Sequence, residues 1–154
     1  MKYSTVSQMF DQVTIEHSTR ELYFYKNHGS WQGIVGSEIR STVKDLAFGL
    51  QSLDIGKGSN VALLSNNSPK WAMSDYGIIC SGAATVSVYP TLIASQVEYI
   101  INNSNSKIVM VEDQGQLEKI NKIWKNCSQL SHVIVLDGSD ESEDDRIINF
   151  MNFL

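Results

Sequence analysis

The sequence lacks an apolar run long enough to cross a membrane. A membrane-spanning helix needs about 18 or more consecutive apolar residues, whereas the longest weakly polar stretch, Gly77 to Val88, is broken by serine, glycine and threonine. The N-terminal segment MKYSTVSQMF also lacks the apolar centre of a signal peptide. We therefore predict no transmembrane segment and a cytoplasmic location, and we leave attachment to a membrane surface open.

Basic residues and metal-binding patterns are also scarce. The chain has 12 Lys and Arg against 17 Asp and Glu, a net charge of -5, so it lacks the basic stripe that nucleic acid binding requires. Its 2 cysteines, Cys80 and Cys127, lie far apart on apolar stretches that we predict to be helical, which favours buried thiols over a disulfide. With 3 scattered histidines and no CxxC or HxxxH spacing, we predict no metal site.

What the chain does contain is typical of a globular α/β protein. Hydrophobic residues make up 42% and charged residues 19% of its 154 positions, which suits one structural unit over 1–154. We predict a short helix over Ser7 to His17 with Ser7 as N-cap, then a β-hairpin from Leu22–Tyr25 and Trp31–Val35. Ser37 is expected to cap an amphipathic helix that runs to about Leu53.

The remainder alternates short apolar runs with helical patterns. The runs lack polar alternation, which is typical of strands covered on both faces. The helices have start signals at Ser68-Pro69, at the capping box Ser95–Glu98 and at Asp113. These patterns predict a mostly parallel sheet with helices on both faces, preceded by the N-terminal helix and hairpin. The predicted strands are Val61–Leu64, Ala84–Val88, Ile108–Val111 and Val133–Leu136.

An acidic segment over residues 137–146 follows the last predicted strand. It contains Asp137, Asp140, Glu141, Glu143, Asp144 and Asp145. A pair of carboxylates for acid–base catalysis is conceivable there, but no neighbouring apolar residues would raise a pKa, so a solvated loop is favoured. The apolar residues 147–154 read as the start of another element, and we expect the natural protein to continue beyond them.

Two loops at predicted strand ends are candidates for lining a pocket. In parallel α/β sheets ligands bind near the carboxyl ends of the strands, and helix N-termini favour anions. The first loop contributes Asn66 and Asn67, although it lacks the glycines and lysine of a phosphate-binding loop and fits a simple helix cap better. The second contributes Tyr89, Pro90 and Thr91. Two interpretations of Tyr89, that it lines a pocket or that it packs at the sheet edge, are equally favoured.

An ordered series of motifs resembles the N-terminal region of long-chain fatty-acid–CoA ligases, within the adenylate-forming superfamily. The resemblance covers about Thr5 to the end and includes the hairpin through Trp31 and the segment LDIGKGSNVALLS. Its central motifs are Asn66–Trp71, Asp75, Gly82-Ala83, Val86–Thr91, Gln96–Ile101 and Lys107–Glu112. Each motif is loose alone, but their order and spacing together are specific.

The sequence departs from the family pattern at three places. Lys70 stands where an acidic residue usually precedes the tryptophan, which reverses a charge in the first turn of a helix. Ser59-Asn60 replaces an aspartate–arginine pair, and Gly36 stands where an aromatic residue often follows the hairpin. These departures indicate a divergent member, for which fine specificity does not transfer.

The resemblance implies a fold that is part of a larger adenylate-forming N-terminal domain, and an ATP-dependent ligase. ATP and a fatty acid would give an acyl-adenylate and pyrophosphate with the help of Mg²⁺, and coenzyme A would then form the thioester. In the family the groups that act on ATP lie after the region covered here, so no catalytic, cofactor-binding or metal-binding residue is assigned. We predict that this chain alone is inactive and binds none of these cofactors.

Other interpretations stay open at this stage. The parent protein could activate amino acids or aryl acids instead of fatty acids, or the chain could be a non-catalytic binding or scaffold module. The implied partners are the fatty acid, coenzyme A and the remainder of the AMP-binding domain. Homo-oligomer formation, acyl chain length and the identity of the substrate are left undetermined.

Overall fold

The computed structural model describes residues 3–138 and 142–154. Helices and strands alternate along most of the chain, as the sequence predicts. In order they are α1 (Val6–Glu16), β1 (Glu21–Asn27), β2 (Ser30–Val35), α2 (Gly36–Ser52), β3 (Asn60–Leu64), α3 (Pro69–Ser81), β4 (Ala84–Val88), α4 (Ala94–Ser104), β5 (Ile108–Val111), α5 (Gln114–Ile123), a 3-10 turn (Trp124–Asn126), β6 (His132–Val135), β7 (Ile147–Asn149) and α6 (Phe150–Phe153).

The main sheet is parallel and has 5 strands in the order β4-β3-β5-β6-β7. The predicted α/β class is confirmed. The fifth strand, β7, was not predicted as a strand; it pairs with β6 through Ile147 opposite Val133. The prediction that every strand is covered on both faces is wrong for β4. This strand lies at the sheet edge, and Ala84 and Ser87 are exposed.

Two apolar cores lie on the two faces of the main sheet. Successive residues of a strand point to opposite faces, so in β3 Leu63 joins one core and Leu64 the other. Helices α1, α2 and α3 cover the first face, and α4 and α5 cover the second. The α2–α3 contact is close, because a Cβ placed on Gly77 would lie 2.8 Å from the Leu46 Cβ. Within the described residues, no helix is long and apolar enough to cross a membrane.

The hairpin β1–β2 forms a separate antiparallel sheet and leads directly into α2. The predicted cap at Ser37 is wrong: Val35 occupies the N-cap position of α2 without a side-chain hydrogen bond. Backbone carbonyls satisfy the first helical N–H groups instead, since Gly36 N donates to Arg20 O at 3.0 Å and Ser37 N to Ser18 O at 2.8 Å. The structure also explains Gly36, because a Cβ there would lie 2.5 Å from the carbonyl oxygen of His17.

Of the other predicted N-cap residues, two are confirmed and two are wrong. Ser68 and Asp113 are confirmed, since their side chains accept from Trp71 N and Gln116 N at 3.0 Å each. Ser7 is wrong because the Thr5 hydroxyl caps α1, and Ser95 is wrong because α4 begins at Ala94 after Ile93. The helical position predicted for Cys127 is also wrong, since it follows the 3-10 turn.

Candidate functional site

The carboxyl edge of the main sheet gathers the loops that follow β3, β4, β5 and β6. Because neighbouring strands are parallel, their C-terminal ends meet at this edge. The backbone of the loops is itself cross-linked: Glu112 N donates to Leu64 O at 3.0 Å, and Asp137 N donates to Glu112 O at 2.7 Å. The loops after β3, β5 and β6 are therefore joined to one another at this edge.

Asn66 is held at this edge by Glu112. The Glu112 carboxylate atom Oε2 accepts from the Asn66 backbone N at 3.0 Å and from its side-chain Nδ2 at 2.7 Å. A carboxylate that accepts two hydrogen bonds from one residue fixes both its backbone and its side chain. Glu112 was not among the predicted site residues, although it directly follows a buried strand, which is the signal that identifies this edge.

Lys70 links the start of α3 to the loop after β6. Its ammonium group donates to Leu136 O at 2.7 Å and to Asp137 Oδ1 at 2.6 Å. It also lies 5.6 Å from the centroid of the Phe150 ring. The residue that reverses the family charge pattern thus has a specific acidic partner 67 residues later in the chain, and sequence reasoning did not connect the two.

A cleft of about 460 Å³ opens beside this link. Its volume lies within the range of about 300–1,000 Å³ that is typical of ligand sites. The cleft has apolar walls and a few charged groups, namely Glu38, Lys70 and Asp137. Its other lining residues are Tyr25, Ile34, Thr42, Ser68, Pro69, Met73, Phe150, Met151 and Leu154.

Asn67 lies in a different, more open groove of about 670 Å³. This groove lies between β1 and the start of α3, and its lining includes Leu22, Tyr23 and Ala72. Burial, with Tyr76 and Asp75 nearby, raises the pKa of Tyr23 to about 12, so its phenol stays protonated at neutral pH. The two asparagines predicted together are therefore directed to different surroundings.

The second predicted loop follows the edge strand β4. Tyr89 is 77% exposed, and Thr91 is exposed as well. The carbonyl of Pro90 accepts from Lys119 Nζ at 2.6 Å, and the same ammonium donates to Leu92 O at 3.0 Å. Lys119 thus holds the backbone of this loop from α5. A pocket-lining role for Tyr89, Pro90 and Thr91 stays a prediction.

Near the end of the acidic segment, Arg146 pairs with Asp144. Its guanidinium donates to both carboxylate oxygens of Asp144, at 2.9 Å and 2.6 Å, and these bonds lower the pKa of Asp144 to about 2. The guanidinium also lies 4.7 Å from the Trp124 ring centroid. A carboxylate with a lowered pKa is a poor general acid, in keeping with the predicted solvated loop. Asp140 and Glu141 lie outside the described residues.

The described residues do not assemble a metal site or an activated nucleophile. Within residues 3–138 and 142–154, no cluster of three or more His, Cys, Asp or Glu side chains could hold a metal ion. At the start of α3, Trp71 N already donates to Ser68 Oγ, and the Lys70 ammonium is engaged by Asp137. Burial raises the pKa of both thiols, Cys80 and Cys127, which makes them weak nucleophiles. We derive no catalytic step from these residues.

Comparison with known proteins decides the family. A sequence profile described as "AMP-binding enzyme" matches residues 10–150. The chain belongs to the AMP-binding enzyme family. Among AMP-binding enzymes of curated function, it is 30% identical over 131 residues to the bovine (Bos taurus) long-chain-fatty-acid–CoA ligase ACSBG1, which covers 85% of this chain and 18% of the relative. It is 26% identical over 142 residues to the Drosophila melanogaster ligase heimdall, covering 90% of this chain and 21% of the relative.

These matches confirm the resemblance that the motifs predict. The chain spans about a fifth of the length of these curated relatives, 18% and 21% respectively. Solved structures of ligases share the fold. The coronafacic acid ligase of Pectobacterium brasiliense superposes with a TM-score of 0.80 at 21% identity, covering 96% of this chain and 28% of that one. An anthranilate CoA ligase, AuaEII, gives 0.78 at 22% identity, covering 87% and 25%.

Proposed function

We propose that the chain forms the N-terminal part of the AMP-binding domain of a fatty-acid–CoA ligase. The parent enzyme joins a fatty acid to ATP, releasing pyrophosphate, and then transfers the acyl group from AMP to coenzyme A in the cytoplasm. The observation that carries this proposal is the match of 85% of the chain to a curated long-chain-fatty-acid–CoA ligase. ATP, Mg²⁺ and coenzyme A are bound by the remainder of the parent protein.

The contribution of this chain is to position loops at the carboxyl edge of the sheet. Glu112 fixes the loop that carries Asn66, and Lys70 ties the start of α3 to Asp137. Lys119 fixes the loop after β4 through the Pro90 carbonyl. Loops held by side chains from neighbouring elements keep their geometry when a substrate or another part of the domain approaches them.

The test uses the longest open reading frame that contains this chain. The encoded protein is purified and assayed for pyrophosphate release with ATP, Mg²⁺, coenzyme A and one acid at a time: a long-chain fatty acid, a medium-chain fatty acid, anthranilate or an amino acid. We expect release with fatty acids. Preference for the aromatic or amino acids would replace the proposal with the corresponding ligase, and no release with any acid would support a non-catalytic module.

A second test asks whether the 154-residue chain alone binds the cofactors or has ligase activity. We expect no pyrophosphate release from this chain. Ligands that bind the folded state raise its melting temperature, so we also expect ATP and coenzyme A to leave the melting temperature unchanged. A clear rise with ATP would show that the described edge binds nucleotide after all.

A further inference from the structure

We draw no further inference here: the strongest candidate, the cleft of about 460 Å³ between the β1–β2 hairpin, α2 and the start of α3, belongs to the candidate site already described, and nothing in the structure shows what covers its apolar walls.

Discussion

Replacing Lys70 by glutamate tests how strongly this residue holds the carboxyl edge together. The ammonium group donates to Leu136 O at 2.7 Å and to Asp137 Oδ1 at 2.6 Å. The two side chains of the ion pair are 34% and 58% exposed, so water screens part of their attraction. Lys70→Glu removes both donated bonds and places a second carboxylate beside the first.

The expected loss follows from three unfavourable contributions and one favourable one. A hydrogen bond from a charged group is worth about 1.5–3 kcal/mol when buried, and partial exposure reduces the Leu136 bond to about 1 kcal/mol. The exposed ion pair adds about 0.5 kcal/mol, and two carboxylates about 4 Å apart in water repel by about 1 kcal/mol. An acid in the first turn of α3 gains about 0.5 kcal/mol from the helix dipole. The net effect is a loss of about 2 kcal/mol of unfolding free energy, from these same terms.

Urea unfolding followed by circular dichroism measures this loss. Lys70→Met separates the terms, because it removes the bonds without adding repulsion and should cost about 1.5 kcal/mol. Adding Asp137→Lys to Lys70→Glu restores opposite charges and should recover about 1 kcal/mol. The Asp11–Arg40 pair, at 2.7 Å and with similar exposure, is the control: Arg40→Met should cost less, since its bridge is to a carboxylate alone. A Lys70→Glu protein as stable as the original would refute the reasoning.

Three further predictions concern packing, the Asn66 loop and pH. Gly77→Ala should destabilise by about 1–2 kcal/mol despite better helix propensity, because its Cβ would meet the Leu46 Cβ at 2.8 Å, and thermal unfolding can measure this loss. Glu112→Gln should cost about 1 kcal/mol in the original chain and less in an Asn66→Ala background, which a double-mutant cycle by urea unfolding checks. Since the pKa of Tyr23 is raised to about 12, its stabilising effect is complete below pH 10, the ordinary tyrosine value, and is lost as pH rises to about 12; Tyr23→Phe should flatten that decline.

The sheet was predictable because its buried strands carry their own signal. Val61–Leu64 and Ile108–Val111 are uninterrupted apolar runs, and both lie where the sequence predicts them. Strand β7 has only 3 residues, and Ile147–Asn149 becomes a strand by pairing with β6. Local pattern does not specify such a partner, since the pairing depends on how the chain returns to the sheet edge.

Helix starts were predictable where the cap is local and not where the backbone supplies it. Ser68 and Asp113 each bond to an N–H three residues later, which is a relation that the sequence contains. The start of α2 is capped by carbonyls of Arg20 and Ser18, which reach it only because the hairpin returns to the end of α1. A hydroxyl at Ser37 is then superfluous, and the helix begins one residue before it.

The candidate site shows the same division between local and tertiary information. The position of its loop, directly after a predicted strand, predicted that Asn66 lies at the carboxyl edge, and the structure places it there. The choice of partners, Glu112 for Asn66 and Asp137 for Lys70, depends on contacts between loops 46 and 67 residues apart. The sequence shows only that a charged residue follows a buried strand; it does not show which residue is its partner.

Lys70 also shows how a departure from a family pattern can be absorbed by one fold. A reversed charge in the first turn of a helix opposes the helix dipole, a cost of a few tenths of a kcal/mol when nothing compensates. Here the ammonium is directed away from the helix N–H groups toward Leu136 O and Asp137, so its charge is satisfied by the neighbouring strand end. Because that interaction uses two of the three N–H donors of Lys70, this residue is better suited to positioning the edge than to binding a nucleotide phosphate.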